Sequence, residues 1–511
     1  MLAVTSAGSS LSVVLGNEQA TRRLAVDIAS ILKPGDFVTL SGDLGAGKTT
    51  FARALIRHLS ENDALEVPSP TFTLVQTYAS PRATLVHGDL FRLGDPSELA
   101  ELGLDEAAER AIVLLEWPDR AADLLPPDRL DIALTLAQTL APNQRQAKLT
   151  GHGAFAARLE RLSELRDFLA KAGFADAKRA HMQGDASTRS YERLTQGART
   201  VVLMNAPRRP DGPPVRGGLP YSAVAHLAED VKPFVAMARA LRERRLSAPD
   251  IFASDLAHGF LLLEDFGSEG VVAGDPPAPI EERYAAAVDV LAELHKRTPP
   301  ALIPVADGIE HRLPAYDADA FMIEAELMLD WYVPHRGGAI TLATRAEFSR
   351  LWRAALEPVL TAPPTWVLRD YHSPNLMWLG DREGLARVGL LDFQDAMMGS
   401  PAYDVVSLLQ DARVDVPEGT EITLLGRYVK ARLDADKAFV AQTFAQLYVT
   451  LGAQRATKIL GIFARLDRRD GKPQYLRHMP RVWRYLRRCL MHPALAELKA
   501  WYDANVPKPP D

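Results

Sequence analysis

The run Gly42-Asp-Leu-Gly-Ala-Gly-Lys-Thr49 fits the pattern G-x-x-x-x-G-K-T, and its flanks restrict what the chain around it can become. Ahead of it, the turn Lys33-Pro-Gly-Asp36 leads into a strand-like Phe37–Leu40. Behind it, Phe51, Leu55 and Leu59 fall on one helical face. Strand, glycine loop and helix in this order make a phosphate cradle. The glycines let backbone N–H groups approach phosphate oxygens with no Cβ in the way, and the helix N-terminus adds a favourable dipole. The expected nucleotide-binding residues are Gly42, Asp43, Leu44, Gly45, Ala46, Gly47, Lys48, Thr49 and Thr50. Lys48 brings charge to the terminal phosphates and Thr49 a hydroxyl to magnesium.

The surrounding segments fit a small α/β domain built on this loop. Leu11–Leu15 alternates like an edge strand, and Asn17–Leu32 places Leu24, Ile28, Ile31 and Leu32 on one helical face. Val67–Val75 is a proline-stiffened loop entering a strand, and Leu85–Arg92 ends a strand on polar groups. Ala111–Glu116 is a buried-type strand whose terminal Glu116 stands where an acid supports the magnesium shell. Leu130–Leu136 alternates as a closing strand, and Gln146–Thr150 can form one more. Phe155–Leu169 then starts an amphipathic helix, so the first domain is expected over residues 1–155 and a second over 156–511. The alternative is that this helix packs on the first domain.

A second constellation lies in Trp366–Asp395. Asp370 and, five residues on, Asn375 occupy a polar turn between apolar runs, and the strand-like Val388–Phe393 carries Asp392. Phosphoryl transfer from ATP needs these groups: one carboxylate for the attacking hydroxyl, an amide oxygen and a second carboxylate for magnesium. The bare pair Asp370 and Asn375 also suits an Asx-rich hairpin, and the full order with its flanking runs argues against that. His372, inside the same turn, is a candidate acceptor contact. Gly259–Gly267 is a buried strand running into a glycine-punctuated segment at Glu264, suited to a hinge that reads an adenine. Gln183–Leu194 is a glycine turn entering a strand, and Asn205–Pro220 is a Pro/Gly-rich flap with Arg208 and Arg209. His295 closes the helix Tyr284–Lys296 and reads as a packing residue.

The last third is helical, with Arg455, Lys458 and Arg465 in Gln454–Leu466 and Arg481, Arg484, Arg487 and Arg488 in Pro480–Leu490. The second set reads as a solvated face. Composition sets outer limits. A chain of 511 residues exceeds one ordinary domain, and 47% apolar against 24% charged residues is globular. One cysteine, Cys489, excludes an internal disulfide, and no apolar run reaches the ~18 residues of a membrane span. A net charge of −6 argues against nucleic-acid binding by bulk electrostatics. A soluble cytoplasmic protein is expected.

Gly42–Phe51, Ser69–Val75 (SPTFTLV), His87–Leu93 (HGDLFRL) and Glu116-Trp-Pro118 resemble the TsaE-type ATPases of bacterial tRNA threonylcarbamoyladenosine synthesis. The resemblance implies an α/β P-loop NTPase fold, ATP and Mg2+, and partner subunits of a threonylcarbamoyl-transferase complex through which tRNA is met. It assigns magnesium to Thr49 and Glu116, nucleotide hydrolysis to Asp89 and a nucleotide-sensing loop to Thr71; Phe91 stands where Tyr is more usual.

Glu264-Asp-Phe-Gly267, Arg369–Asn375, Leu391–Asp395 and Pro401-Ala-Tyr-Asp404 resemble the aminoglycoside phosphotransferase superfamily, an α+β, protein-kinase-like two-lobed fold. Gly184–Ser187, Leu313–Tyr316, Glu326–Tyr332 and Gly461–Leu466 with Arg469–Lys472 resemble its N-acetylmuramate/N-acetylglucosamine anomeric kinases. This implies Asp370 as catalytic base, Asn375 and Asp392 as magnesium ligands and Asp404 as a brace. Arg369 replaces the glycine usual in antibiotic kinases, and Val201–Asn205 lacks the usual nucleotide-pairing lysine, for which Arg189 is the favoured substitute. A muramic acid carries a lactyl carboxylate, so Arg455 and Arg465 are candidates to read it. The reading is a fusion of an ATPase and an amino-sugar kinase. Rival readings change the acceptor to choline, an amino acid or an aminoglycoside, or make the second part a pseudokinase regulating the ATPase.

Overall fold

A computed structural model describes residues 9–81, 83–93, 103–136, 144–182, 189–208 and 212–509. The chain divides into two compact units, Met1–His181 with Glu192–Thr200, and Met182–Tyr191 with Val201–Asp511.

In the first unit the elements run β1 (Ser9–Leu15), α1 (Glu18–Ala29), β2 (Phe37–Ser41), α2 (Lys48–Leu59), β3 (Val75–Tyr78), β4 (Thr84–Asp89), α3 (Leu104–Ala108), β5 (Ala111–Glu116), β6 (Leu130–Thr135), β7 (Arg145–Gly151) and α4 (Phe155–Lys171). The strands form one sheet in the order β1-β7-β6-β2-β5-β4-β3. Its centre, β6-β2-β5-β4, is parallel, and β1, β7 and β3 join antiparallel at the two sides. β5, AIVLLE, is buried along its whole length, as parallel strands covered on both faces must be. Asn17 caps α1 by accepting the Ala20 amide at 2.9 Å. Leu24 and Ile28 of α1 share a core with Phe51, Leu55 and Leu59 of α2.

The helix α4 packs on this first unit, the arrangement left open in the sequence. Phe155, Leu159 and Leu162 complete the same core, and Arg158 clasps Asp36 with two bonds of 2.6 and 2.9 Å. The compact first unit therefore runs beyond residue 155 to His181.

In the second unit the residues Val201–Asn205 pair antiparallel with Phe260–Glu264, from Val201 opposite Glu264 to Asn205 opposite Phe260. Ile251–Asp255 pairs with the same strand on its other side. The helix Lys232–Glu243 buries Phe234, Val235, Met237 and Leu241 in the core that also takes Leu261 and Leu263. The rest is mainly helical, centred on the 30-residue helix Ala441–Asp470. That helix approaches the segment at Leu327 so closely that a Cβ on Gly461 would lie 2.4 Å from the Leu327 carbonyl carbon. Two short antiparallel pairs, Thr365–Val367 with Met397–Gly399 and Leu376–Trp378 with Val388–Leu390, hold the loop between them. His295 is buried at its helix end against the Tyr428 hydroxyl at 2.8 Å, a packing residue as expected. Among the described residues no helix is long and apolar enough to cross a membrane.

Candidate active sites

The first site forms where three parallel strands end together. β2 feeds the glycine loop, while Asp89 and Glu116 close β4 and β5 opposite each other in register. Gly42 has φ 131°, and a Cβ there would stand 2.1 Å from the Leu134 carbonyl oxygen, so only glycine fits. Lys48 opens α2 and is 5% exposed. Its ammonium donates to the carbonyls of Gly42 at 2.7 Å and Asp43 at 3.0 Å and lies 3.8 Å from the centre of the Trp117 ring. Burial pushes its pKa down, while Glu116, Asp89 and Asp43 push back.

Thr49 donates to Glu116 at 3.2 Å, the pair that the motif assigns to magnesium. The second oxygen of Glu116 meets the buried His87 at 3.0 Å, which fixes the carboxylate's orientation. Asp89 accepts from Ser69 at 2.7 Å and Thr71 at 3.0 Å, so the loop expected to sense nucleotide is tied to the residue expected to serve hydrolysis. These oxygens are hard donors and suit Mg2+.

The second site is built on the loop Leu368–Asn375. Asp404, on the helix Ala402–Leu409, accepts the amides of Leu368 at 2.6 Å and Arg369 at 2.9 Å. Burial nonetheless raises its carboxyl to about 7, against two donors that favour the ionised form. Asp411 holds the far side of the loop by accepting the amide of Ser373 at 2.9 Å and its hydroxyl at 2.6 Å. Asn375 spends its amide nitrogen on the Asp370 carbonyl at 2.9 Å, so its oxygen is the end left for a metal. Asp392 stands at φ 56° and accepts from Gln394 at 2.6 Å and from Arg189 at 3.2 Å.

Arg369 also sits at positive φ, 71°. Its guanidinium donates to the Ala225 carbonyl at 3.0 Å and pairs with Glu324, which is fully buried. Glu324 binds Lys458 at 2.7 Å and accepts the Tyr316 hydroxyl at 2.6 Å. Burial would raise the Glu324 pKa, but Lys458 and Arg369 hold it down at about 2.

Burial would likewise raise Asp370, yet His372, Lys458, Arg455 and Arg369 keep it below the ordinary carboxylate value. Burial holds His372 itself at about 4, so at neutral pH that field comes from the lysine and the arginines. For Asp392, burial and then Asp370 raise the pKa, as expected of a carboxylate that shares its site with another.

The remaining candidates fall in distinct places. Arg455 is buried and donates to the Arg369 carbonyl at 3.3 Å and the Tyr403 hydroxyl at 3.4 Å. Arg465 lies on the same helix with its guanidinium 5.3 Å from the Tyr221 ring centre. His372 leaves its Nδ1 buried without a partner. Glu264 ends its strand with the side chain committed to Arg382 and the Asp250 amide. Arg208 is exposed beside Glu229 at 3.8 Å. The Gly184–Ser187 turn and Arg209 lie outside the described residues. Arg481, Arg484, Arg487 and Arg488 bond to Ala412, Asp415, Asp503 and Glu421. Glu324, Tyr221 and His87 had no role assigned from sequence. His87 stood inside a quoted motif, whereas nothing local marks Glu324 or Tyr221.

Residues 15–147 match the family model "Threonylcarbamoyl adenosine biosynthesis protein TsaE", and residues 180–443 match that of the "Phosphotransferase enzyme family". The N-acetylmuramate/N-acetylglucosamine kinase of Caulobacter vibrioides is 41% identical over 362 residues, 68% of this chain and 97% of that protein. Its namesake from Pseudomonas aeruginosa is 36% identical over 320 residues, 61% and 84%. The tRNA threonylcarbamoyladenosine biosynthesis protein TsaE of Rickettsia felis is 36% identical over 180 residues, 35% of this chain and 99% of that protein. The chain therefore belongs to two families, that of TsaE in its first part and that of the phosphotransferase enzymes in the remainder.

Proposed function

We propose that this chain is bifunctional: its first part is the ATPase subunit of tRNA threonylcarbamoyladenosine modification, and its second phosphorylates the anomeric hydroxyl of N-acetylmuramate or N-acetylglucosamine. The observation that carries this reading is that each unit has its own set of phosphate and metal groups, Lys48 with Thr49 and Glu116 in one, Asp370 with Asn375 and Asp392 in the other. The relatives named above supply the substrates. The acidic balance of the chain, −6, fits a protein that meets tRNA through partner subunits in the cytoplasm.

In the kinase, Asp370 is held ionised, and so accepts a hydrogen bond from the sugar hydroxyl and aims its oxygen at the γ-phosphate. A carboxylate this acidic is a weak base, which suits a loose transition state in which the hydroxyl's proton leaves late. Asn375 and Asp392 would hold magnesium, which supplies charge neutralisation at the phosphates. Arg189, which donates to Asp392 at 3.2 Å, would help to screen them in place of the missing strand lysine. In the ATPase, Thr49 and Glu116 would hold the metal, while Asp89 bonds the Ser69–Thr71 loop to the same strand ends.

The test uses the full chain. Lys48→Ala should abolish ATP hydrolysis by the first site and leave sugar phosphorylation near normal, and Asp370→Asn should do the reverse. Loss of both activities from either well-folded variant would end the reading of two independent sites. Wild-type protein that phosphorylates neither sugar would remove the amino-sugar assignment.

A further inference from the structure

Three cations project from the helix Ala441–Asp470 at Arg455, Lys458 and Arg465, spaced so that they share one face. The first two bond protein groups, although the Nε of Arg455, like that of Arg465, is buried without a partner. Arg455 holds the Arg369 carbonyl and the Tyr403 hydroxyl, and Lys458 is paired with Glu324 at 2.7 Å and bonds Tyr403 at 3.3 Å. Arg216, from the hairpin that leads into Tyr221, is paired with Glu326. Arg465 differs from all of these. Among the described residues its guanidinium bonds neither a carbonyl nor a carboxylate of the protein and rests on Tyr221, with Asp470 acting on it only at longer range.

Arg465 lies two helical turns beyond Lys458, about 10 Å along the axis. Tyr221 joins the two ends of this row. Burial raises the Tyr221 phenol, as does Glu324, while Lys458, Arg465 and Arg369 oppose them, so its hydroxyl lies within the fields of both groups. The row thus runs from Asp370, which Lys458 and Arg455 hold ionised, past Tyr221 to Arg465. A cation taken from water and given no anion is costly unless a ligand supplies the charge, and a guanidinium is shaped to take a carboxylate through two parallel bonds.

We propose that Arg465, with Tyr221 beside it, reads the acceptor's carboxylate and sets the preference for a carboxylate-bearing amino sugar, whereas Arg455 positions the catalytic loop. The proposal rests on the amino-sugar reading above and separates two arginines that the sequence treated alike. The neutral sugar has no group for Arg465, so the two substrates should respond differently to its loss.

The experiment measures kcat/KM for N-acetylmuramate and N-acetylglucosamine at saturating ATP and magnesium, in the full-length protein and its Arg465→Gln, Arg465→Lys and Arg455→Gln variants. For Arg465→Gln, the ratio of N-acetylmuramate to N-acetylglucosamine kcat/KM should fall tenfold or more, the loss expected for one charged hydrogen-bonded pair. Arg465→Lys should fall less, since it keeps the charge without the fork, and it also serves as the folded control. Arg455→Gln should lower kcat for both sugars in parallel. A ratio within twofold of wild type in both Arg465 variants would overturn the proposal while leaving the kinase reading intact, as would a selective fall in Arg455→Gln. Failure of the wild-type protein to phosphorylate either sugar would remove the kinase reading and this proposal with it.

Discussion

The buried carboxylate of Glu324 gives a sharp test of what holds the second site together. It accepts from Tyr316 at 2.6 Å, Lys458 at 2.7 Å and Arg369, and is 0% exposed. Glu324→Gln keeps the shape and removes the charge, leaving two buried cations around a neutral amide. Breaking a buried pair by deleting one partner costs about 3–5 kcal/mol. Arg369 retains the Ala225 carbonyl at 3.0 Å and Lys458 the Tyr403 hydroxyl at 3.3 Å, which places the expected loss near the lower end, about 3 kcal/mol. As a control, Glu347→Gln removes an exposed partner of Arg350 and should leave stability nearly unchanged, since such a pair is screened by water. Six of the seven tryptophans lie between Trp331 and Trp501, so tryptophan emission during urea unfolding follows the second unit. A loss below about 1 kcal/mol for Glu324→Gln would refute the argument that this ionic cluster depends on its carboxylate.

Arg189→Ala should raise KM for ATP about tenfold and depress turnover, with sugar affinity little changed, because the charged contact that Arg189 would make to the phosphates from beside Asp392 is removed; unchanged ATP kinetics would take Arg189 out of the site. Burial holds His295 at about 3 in the folded protein, well below its ordinary value of about 6.5. Between those values the unfolded chain binds a proton that the folded one does not, so stability contributed above pH 6.5 is lost as pH falls towards 3, by up to about 1.4 kcal/mol per pH unit. His295→Gln should flatten the dependence of unfolding free energy on pH between 6 and 4 by about one proton, and an unaltered slope would show the imidazole to be titrating freely.

Both candidate sites could be placed from sequence because each rests on short contiguous spacings. Gly42–Thr49 needs only a strand before it and a helix after it, and Asp370, Asn375 and Asp392 lie within one hairpin's length. What stayed hidden was brought together over distance. Glu324 lies in the apolar helix segment ADAFMIEA and meets Arg369 45 residues on and Lys458 134 residues on. Hydrophobic periodicity carries no signal for such a meeting. Arg455 and Arg465 looked equivalent because helical spacing gives the shared face but not the partners waiting there. The helix Phe155–Lys171 raised the same difficulty at larger scale, since its apolar stripe would suit either domain, and Arg158 reaching back to Asp36 decides it.

The resting position of Lys48 bears on what that residue contributes. Its ammonium already holds two carbonyls and an aromatic face, so moving to phosphate is an exchange of partners, with a net gain smaller than a new ion pair would give. Such an exchange would be most favourable where charge develops during the reaction, as on the β–γ bridging oxygen in the transition state for γ-phosphate cleavage. Binding energy withheld in this way would appear as rate, so on the reading proposed above the lysine of this loop would act on kcat more than on nucleotide affinity.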